Sequence, residues 1–196
     1  MTYDPRLHHR TSHRLNGYDY SQRGIYFITV CVEARACILI DIVEDGVRLT
    51  PCGQAVQACW ESLPEKYPGA ELDALIIMPN HVHAVLGLCP EDTMRCPPLG
   101  TVMGFFKYQS TKAVNLTRGV SGQKLWQRDY FDHVVRHDRA LERIREYIAT
   151  NSQRWTHDAE NVDGSGRDSV RNWVKQWDIP VPKKGGETPP LQGGGV

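Results

Sequence analysis

Apolar residues fall along this chain in short runs divided by turn-forming clusters, and the period of each run predicts its element. Gly24 to Val32 is rich in β-branched and aromatic residues and predicts a strand. Ala36 to Ile42 predicts a second strand, and Asp45-Gly46 a turn from which Val47 to Leu49 returns as a third. Thr50 before Pro51 supplies a capping hydroxyl and a proline at the first helical position. Val56, Cys59, Trp60 and Leu63 then recur at helical spacing until Pro64 and Pro68. Leu72 to Met78 and His81 to Leu88 form a central strand region, with Pro79-Asn80 either a kink in one strand or a turn between two. Leu99 to Leu116 predicts a helix closed by Gly119 and Gly122, and Trp126 to Val135 a short strand. Asp138 is the expected N-cap of a helix through Thr150 with an apolar stripe at Leu141, Ile144 and Ile148. Strands and helices in this order predict an α+β domain: an antiparallel sheet with helices packed on it.

The ends of the chain read differently. Residues 1–23 are polar and basic and are expected to form an arm, leaving 24–156 as the folded domain. Within 157–179, Val170, Trp173, Val174 and Trp177 have the spacing of one short amphipathic helix. Residues 180–196 hold prolines, glycines and two lysines with almost nothing apolar, a composition expected to stay disordered.

Charge adds a directional hint. The formal net charge is zero, yet Gly104 to Trp155 carries ten Lys or Arg against five Asp or Glu, and the N-terminal arm adds Arg6, Arg10, Arg14 and Arg23. Such a distribution suits a protein that meets nucleic acid on one side. The six cysteines show neither a zinc-knuckle nor a redox spacing, and nothing in their order suggests a disulfide framework; a cytoplasmic protein is expected. The longest apolar run, Ile25 to Val32, is too short to span a bilayer, so no membrane partner is expected.

The candidate chemistry sits in Leu75 to Leu88. On a strand, His81 and His83 project from one face while Val82 points to the other. Two neutral imidazoles so placed can share a metal ion, or can simply be hydrogen-bonded. Tyr147 and Asn151, four residues apart, share a helix face that can look toward that sheet. Together they offer a hydroxyl nucleophile, an amide oxygen and two imidazoles. A divalent ion held by two His and one Asn keeps its full charge for a phosphate oxygen, which is Lewis-acid logic suited to phosphodiester chemistry.

Six segments then occur in a telling order: Met78-Pro79-Asn80-His81-Val82-His83, Gly104-Phe105-Phe106-Lys107, Leu125-Trp126-Gln127-Arg128, Tyr130-Phe131-Asp132-His133, Val135-Arg136 and Tyr147-Ile148-Ala149-Thr150-Asn151. Over about residues 24 to 156 the chain resembles the REP-associated tyrosine transposases, single-tyrosine members of the HUH nucleases. The resemblance implies a ferredoxin-like α+β fold and cleavage and rejoining of single-stranded DNA beside a palindromic hairpin. It implies Tyr147 as the nucleophile that takes a 5′-phosphate, with His81, His83 and Asn151 as ligands of Mg²⁺ or Mn²⁺. Lys107, Lys112, Arg128 and Arg136 are the candidate DNA contacts. The chain departs from many relatives at Ser152, where they have proline. Members act as monomers or homodimers. The competing readings are a hairpin-binding protein of the same fold that does not cut, and a histidine-based phosphoesterase, although the latter usually needs a third alternating histidine where Val85 stands.

Overall fold

The computed structural model describes residues 17–43, 46–89, 96–151, 155, 157–158 and 160–161. The expected helix around Trp173, the C-terminal tail, Ser152 and the first sixteen residues lie outside these. Four strands form the main sheet: β1 (Gly24–Cys31), β4 (Ala70–Ile77), β5 (His81–Leu88) and β6 (Phe131–Val135). A separate hairpin joins β2 (Ile40–Val43) to β3 (Gly46–Leu49). The helices are α1 (Pro51–Glu61), the single turn α2 (Leu63–Lys66), α3 (Leu99–Thr117) and α4 (Asp138–Thr150).

The sheet runs β4-β5-β1-β6 with every neighbouring pair antiparallel. Counted among themselves along the chain, these strands stand second, third, first, fourth, the split β-α-β arrangement of ferredoxin-like folds. The α+β expectation holds. Both faces of the sheet are covered, which explains why β5 reads as a continuous apolar run. On one face Tyr26, Ile28, Val30, Val82, Ala84 and Leu86 pack against Val56 and Trp60 of α1 and Val102, Met103 and Phe106 of α3. On the other, Phe27, Val85 and Val135 pack against Leu141, Ile144, Tyr147 and Ile148 of α4.

Local sequence explains most boundaries. Thr50 caps α1, its Oγ1 accepting from the Gly53 amide at 3.1 Å. A Cβ on Gly53 would collide with the Leu39 carbonyl oxygen, so glycine lets α1 press against the backbone there. Pro79-Asn80 is a turn between two paired strands. The register of β4 on β5 slips between Leu72 and Leu75, a bulge that turns Leu75 back to the α1/α3 side.

Four expectations need correction. The second strand begins at Ile40, not Ala36, because Ala34 and Arg35 take left-handed conformations (φ 53° and 54°) in a 3₁₀ turn. The amides of Ile38 and Leu39 then donate to the Pro79 carbonyl instead of a strand partner. Only Phe131–Val135 of the Trp126–Val135 run is a strand; Trp126 makes an isolated bridge to Val32. The N-cap of α4 is His137, whose Nδ1 accepts from the Ala140 amide at 3.1 Å, leaving Asp138 as a first-turn acid that complements the helix dipole. Cys89 and Cys96 are joined in a disulfide that no spacing rule had suggested. Among the described residues no helix is long and apolar enough to cross a membrane.

Candidate active site

The histidines come from β5, an inner strand of the sheet. His83 stands opposite Thr29 and His81 opposite Cys31 on β1, and the ring of His83 meets Tyr147 of α4. Asn80 fixes the first ring. Its Nδ2 donates to the carbonyls of Arg35 (3.2 Å) and Glu160 (2.7 Å), so its Oδ1, 2.9 Å from Nδ1 of His81, must accept. The proton of His81 therefore rides on Nδ1 and its Nε2 keeps a lone pair. Thr29 Oγ1 lies 2.8 Å from Nδ1 of His83 and can play either role. The two Nε2 atoms converge to 3.0 Å. Burial pushes His83 down to about 3, and burial, followed by the neighbouring His83, holds His81 well below its ordinary value. Both imidazoles are neutral near pH 7, the form that ligates metals.

Helix α4 brings the tyrosine. Its apolar stripe of Leu141, Ile144 and Ile148 buries against the sheet, and Arg145 clasps Asp73 in the β4 bulge through Nε at 2.9 Å. The Tyr147 hydroxyl stands 3.5 Å from Nε2 of His83, and its ring meets Phe27 edge to face at 6.2 Å. One turn on, Asn151 caps the helix end. The structure thus brings His81, His83, Tyr147 and Asn151 into one buried group, from 0% to 4% exposed.

Sequence reasoning missed a fifth member. Asp158, 3% exposed, has Oδ2 3.7 Å from Nε2 of His81, and Asn151 Nδ2 donates to the same oxygen at 3.4 Å. Ligand atoms of His81, His83 and Asp158 all lie within 4.8 Å of one another. His81 Nε2 and the Asp158 carboxyl group stand at ion-pair distance, while burial pushes the imidazole toward its neutral form. Three electron-pair donors that converge in a buried space fit a cation. This group could hold a divalent ion. No period or motif points to Asp158, and Thr29 is reached only through cross-strand register.

The four candidate DNA contacts lie elsewhere. Lys107 is half-buried, and its Nζ donates to the carbonyls of Gln127 (2.7 Å) and Arg128 (2.8 Å); burial lowers its pKa. Lys112 lines a groove of about 860 Å³ between α3 and residues 120–126. Arg128 is exposed in the segment before β6, and Arg136 is half-buried just after it. Trp126 is a core residue, its Nε1 donating to Ser110 Oγ at 2.8 Å, and Phe131 packs against Phe27.

No family model matches the chain. An uncharacterized protein of Haemophilus influenzae is 29% identical over 178 residues, which cover 82% of this chain and 98% of that protein. A second protein of that organism, named "Putative REP-associated tyrosine transposase", is 25% identical over 138 residues, 68% of this chain and 72% of its own length. Among solved structures, a REP-associated tyrosine transposase bound to a REP hairpin shares the fold at a TM-score of 0.52. It is 18% identical, and the match covers 72% of this chain and 73% of that one. The chain is similar to this group in sequence and in fold, as its motifs lead one to expect.

Proposed function

We propose that this chain is a REP-associated tyrosine transposase, which nicks and rejoins single-stranded DNA beside a hairpin through a covalent phosphotyrosine. One observation carries the reading: the Tyr147 hydroxyl lies 3.5 Å from the Nε2 of a histidine whose partner Nε2 is 3.0 Å further on. A nucleophile beside paired, neutral, metal-competent imidazoles is the arrangement phosphodiester transfer needs. The likeness to a transposase that holds a REP hairpin supports the same substrate class.

Tyr147 is the nucleophile. Its oxygen bonds to phosphorus as the P–O3′ bond breaks; the phenol loses its proton and the departing 3′ oxygen gains one. The 5′-phosphate remains on Tyr147, and a free 3′-hydroxyl can later attack it and restore the strand. The phosphoester conserves bond energy for that rejoining. An ordinary tyrosine has a pKa of about 10, so ionising it near pH 7 costs roughly 4 kcal/mol. A bound Mg²⁺ or Mn²⁺ ion would supply Lewis-acid polarisation of the phosphate and a field that offsets this cost. His81 and His83 would hold the ion through Nε2, with Asn80 and Thr29 keeping the rings in place. Phe27 and the Arg145–Asp73 clasp hold the phenol against them. The expected setting is the cytoplasm, with hairpin DNA as partner.

The test is covalent capture. The full-length protein is incubated with end-labelled single-stranded hairpin DNA, with and without Mn²⁺ or Mg²⁺, and resolved under denaturing conditions. A metal-dependent protein–DNA adduct that disappears in Tyr147→Phe is expected. Hairpin binding without an adduct would identify a non-cutting binding module. Hydrolysis of simple phosphodiesters without an adduct would identify a phosphoesterase.

A further inference from the structure

Resting on that reading, we propose that Asp158 is the third protein ligand of the divalent ion in the DNA-free protein, and that Asn151 is a positioning residue for its carboxylate. Two Nε2 atoms at 3.0 Å already have the spacing of neighbouring ligands, since donors about 2.1 Å from an ion at right angles stand about 3.0 Å apart. Oδ2 of Asp158 lies 3.7 Å from the first of them.

In the metal-free structure the amide of Asn151 is engaged by Asp158. Its Nδ2 faces Oδ2 of Asp158 at 3.4 Å, and beside a carboxylate oxygen only the NH₂ end of an amide is attracted. An amide nitrogen has no lone pair for a metal. The carboxylate, in contrast, is a hard anionic donor of the kind Mg²⁺ and Mn²⁺ prefer. Two His and one carboxylate leave coordination positions open for a phosphate oxygen.

Asp158 is also held in place. Its Oδ1 accepts from the Glu160 amide at 2.7 Å, which turns Oδ2 toward the histidines. Glu160 in turn is anchored three ways: its carboxylate pairs with Arg35 at 3.1 Å and receives the Cys31 thiol at 3.4 Å, and its carbonyl accepts from Asn80 at 2.7 Å. Asn80 thus orients a histidine through one atom and the aspartate's segment through another. A surface acid that drifted over the site would have no such scaffold.

The test measures metal binding by the full-length protein without DNA, using Mn²⁺ followed by electron paramagnetic resonance and calorimetry. Asp158→Asn should weaken Mn²⁺ at least tenfold, Asn151→Ala two- to fivefold, and His81→Ala/His83→Ala should abolish binding. In the wild-type protein carrying ¹³C-carboxylate aspartate, Mn²⁺ should show a strong ¹³C coupling that Asp158→Asn removes; this readout does not depend on a variant's folding for its first half. Wild-type affinity in Asp158→Asn, or no ¹³C coupling, overturns the proposal while leaving the nucleophile reading intact. Unchanged binding in the histidine variant would remove the metal site itself and with it the metal-dependent reaction.

Discussion

Asn80 and His81 are adjacent in sequence and bonded through their side chains, Oδ1 to Nδ1 at 2.9 Å, with both amide hydrogens of Asn80 committed to backbone carbonyls. No other orientation of this amide satisfies all three partners, so the ring of His81 is held in one tautomer. Outer groups of this kind typically change metal affinity 10- to 100-fold when removed. Asn80→Ala should therefore weaken Mn²⁺ by about that factor. It should also lower stability by about 1–3 kcal/mol, because two part-buried carbonyls lose their donor. Calorimetric titration and chemical denaturation of one preparation would check both.

The Arg145–Asp73 clasp bears on placement more than on stability. Arg145 is half exposed, and exposed ion pairs contribute about 0–1 kcal/mol. Arg145→Ala should shift the unfolding free energy by less than about 1 kcal/mol. The rate of adduct formation should fall tenfold or more as α4 loses its tie to the β4 bulge. Equal rates in the variant and the wild type would show that the apolar stripe alone aligns Tyr147.

Acid sensitivity follows from the buried imidazoles. The folded-state value of His83 lies at about 3 against an ordinary 6.5, so between those values the unfolded chain binds a proton that the native protein refuses. Stability then rises with pH, and the contribution is fully present above about 6.5 and lost progressively as pH falls toward 3. The slope is up to about 1.4 kcal/mol per pH unit for one such group. Denaturation midpoints of metal-free protein should decline below pH 6.5, and His83→Gln should flatten that limb.

Two lysines on α3 should behave differently. Lys107 ties α3 to the carbonyls of Gln127 and Arg128, so Lys107→Ala should lower the melting temperature as well as any DNA affinity. Lys112→Ala should leave the melting temperature unchanged. If Lys112 meets a phosphate, the variant reduces the slope of log affinity against log salt by about 1. An unaltered slope would remove Lys112 from the DNA surface.

Trp126→Ala should cost about 3–5 kcal/mol, since the indole is buried against Phe106 and bonded to Ser110. Ser110→Ala should cost about 1 kcal/mol, and urea titrations would give both values.

How far the sequence discloses this depends on whether a feature is local. His81 and His83 are legible because a strand repeats every two residues, and Tyr147 with Asn151 because a helix brings i and i+4 together. Thr50 and Pro51 announce α1 for the same reason. Register between distant strands leaves no such mark: Thr29 meets His83 only because β1 and β5 pair at that offset. Asp158 lies in a stretch without period, and its place comes from Glu160 reaching Arg35 and Asn80. The run Ala36 to Ile42 has strand composition, yet left-handed backbone at Ala34 and Arg35 takes its first residues out of the sheet. Trp126 belongs to an aromatic segment of a kind more often core than base-stacking, and its burial against Phe106 with a bond to Ser110 makes it core.

Strand β5 is bonded along both edges, to β1 and to β4, whereas α4 touches the sheet with one face alone. The two halves of the site therefore belong to units that open at different free energies. Amides of Val82 to Leu86 should exchange with deuterium only on near-global unfolding, and those of α4 well before. Under the proposed function, Tyr147 would carry its DNA strand on the element expected to open first, while the histidines stay fixed in the sheet.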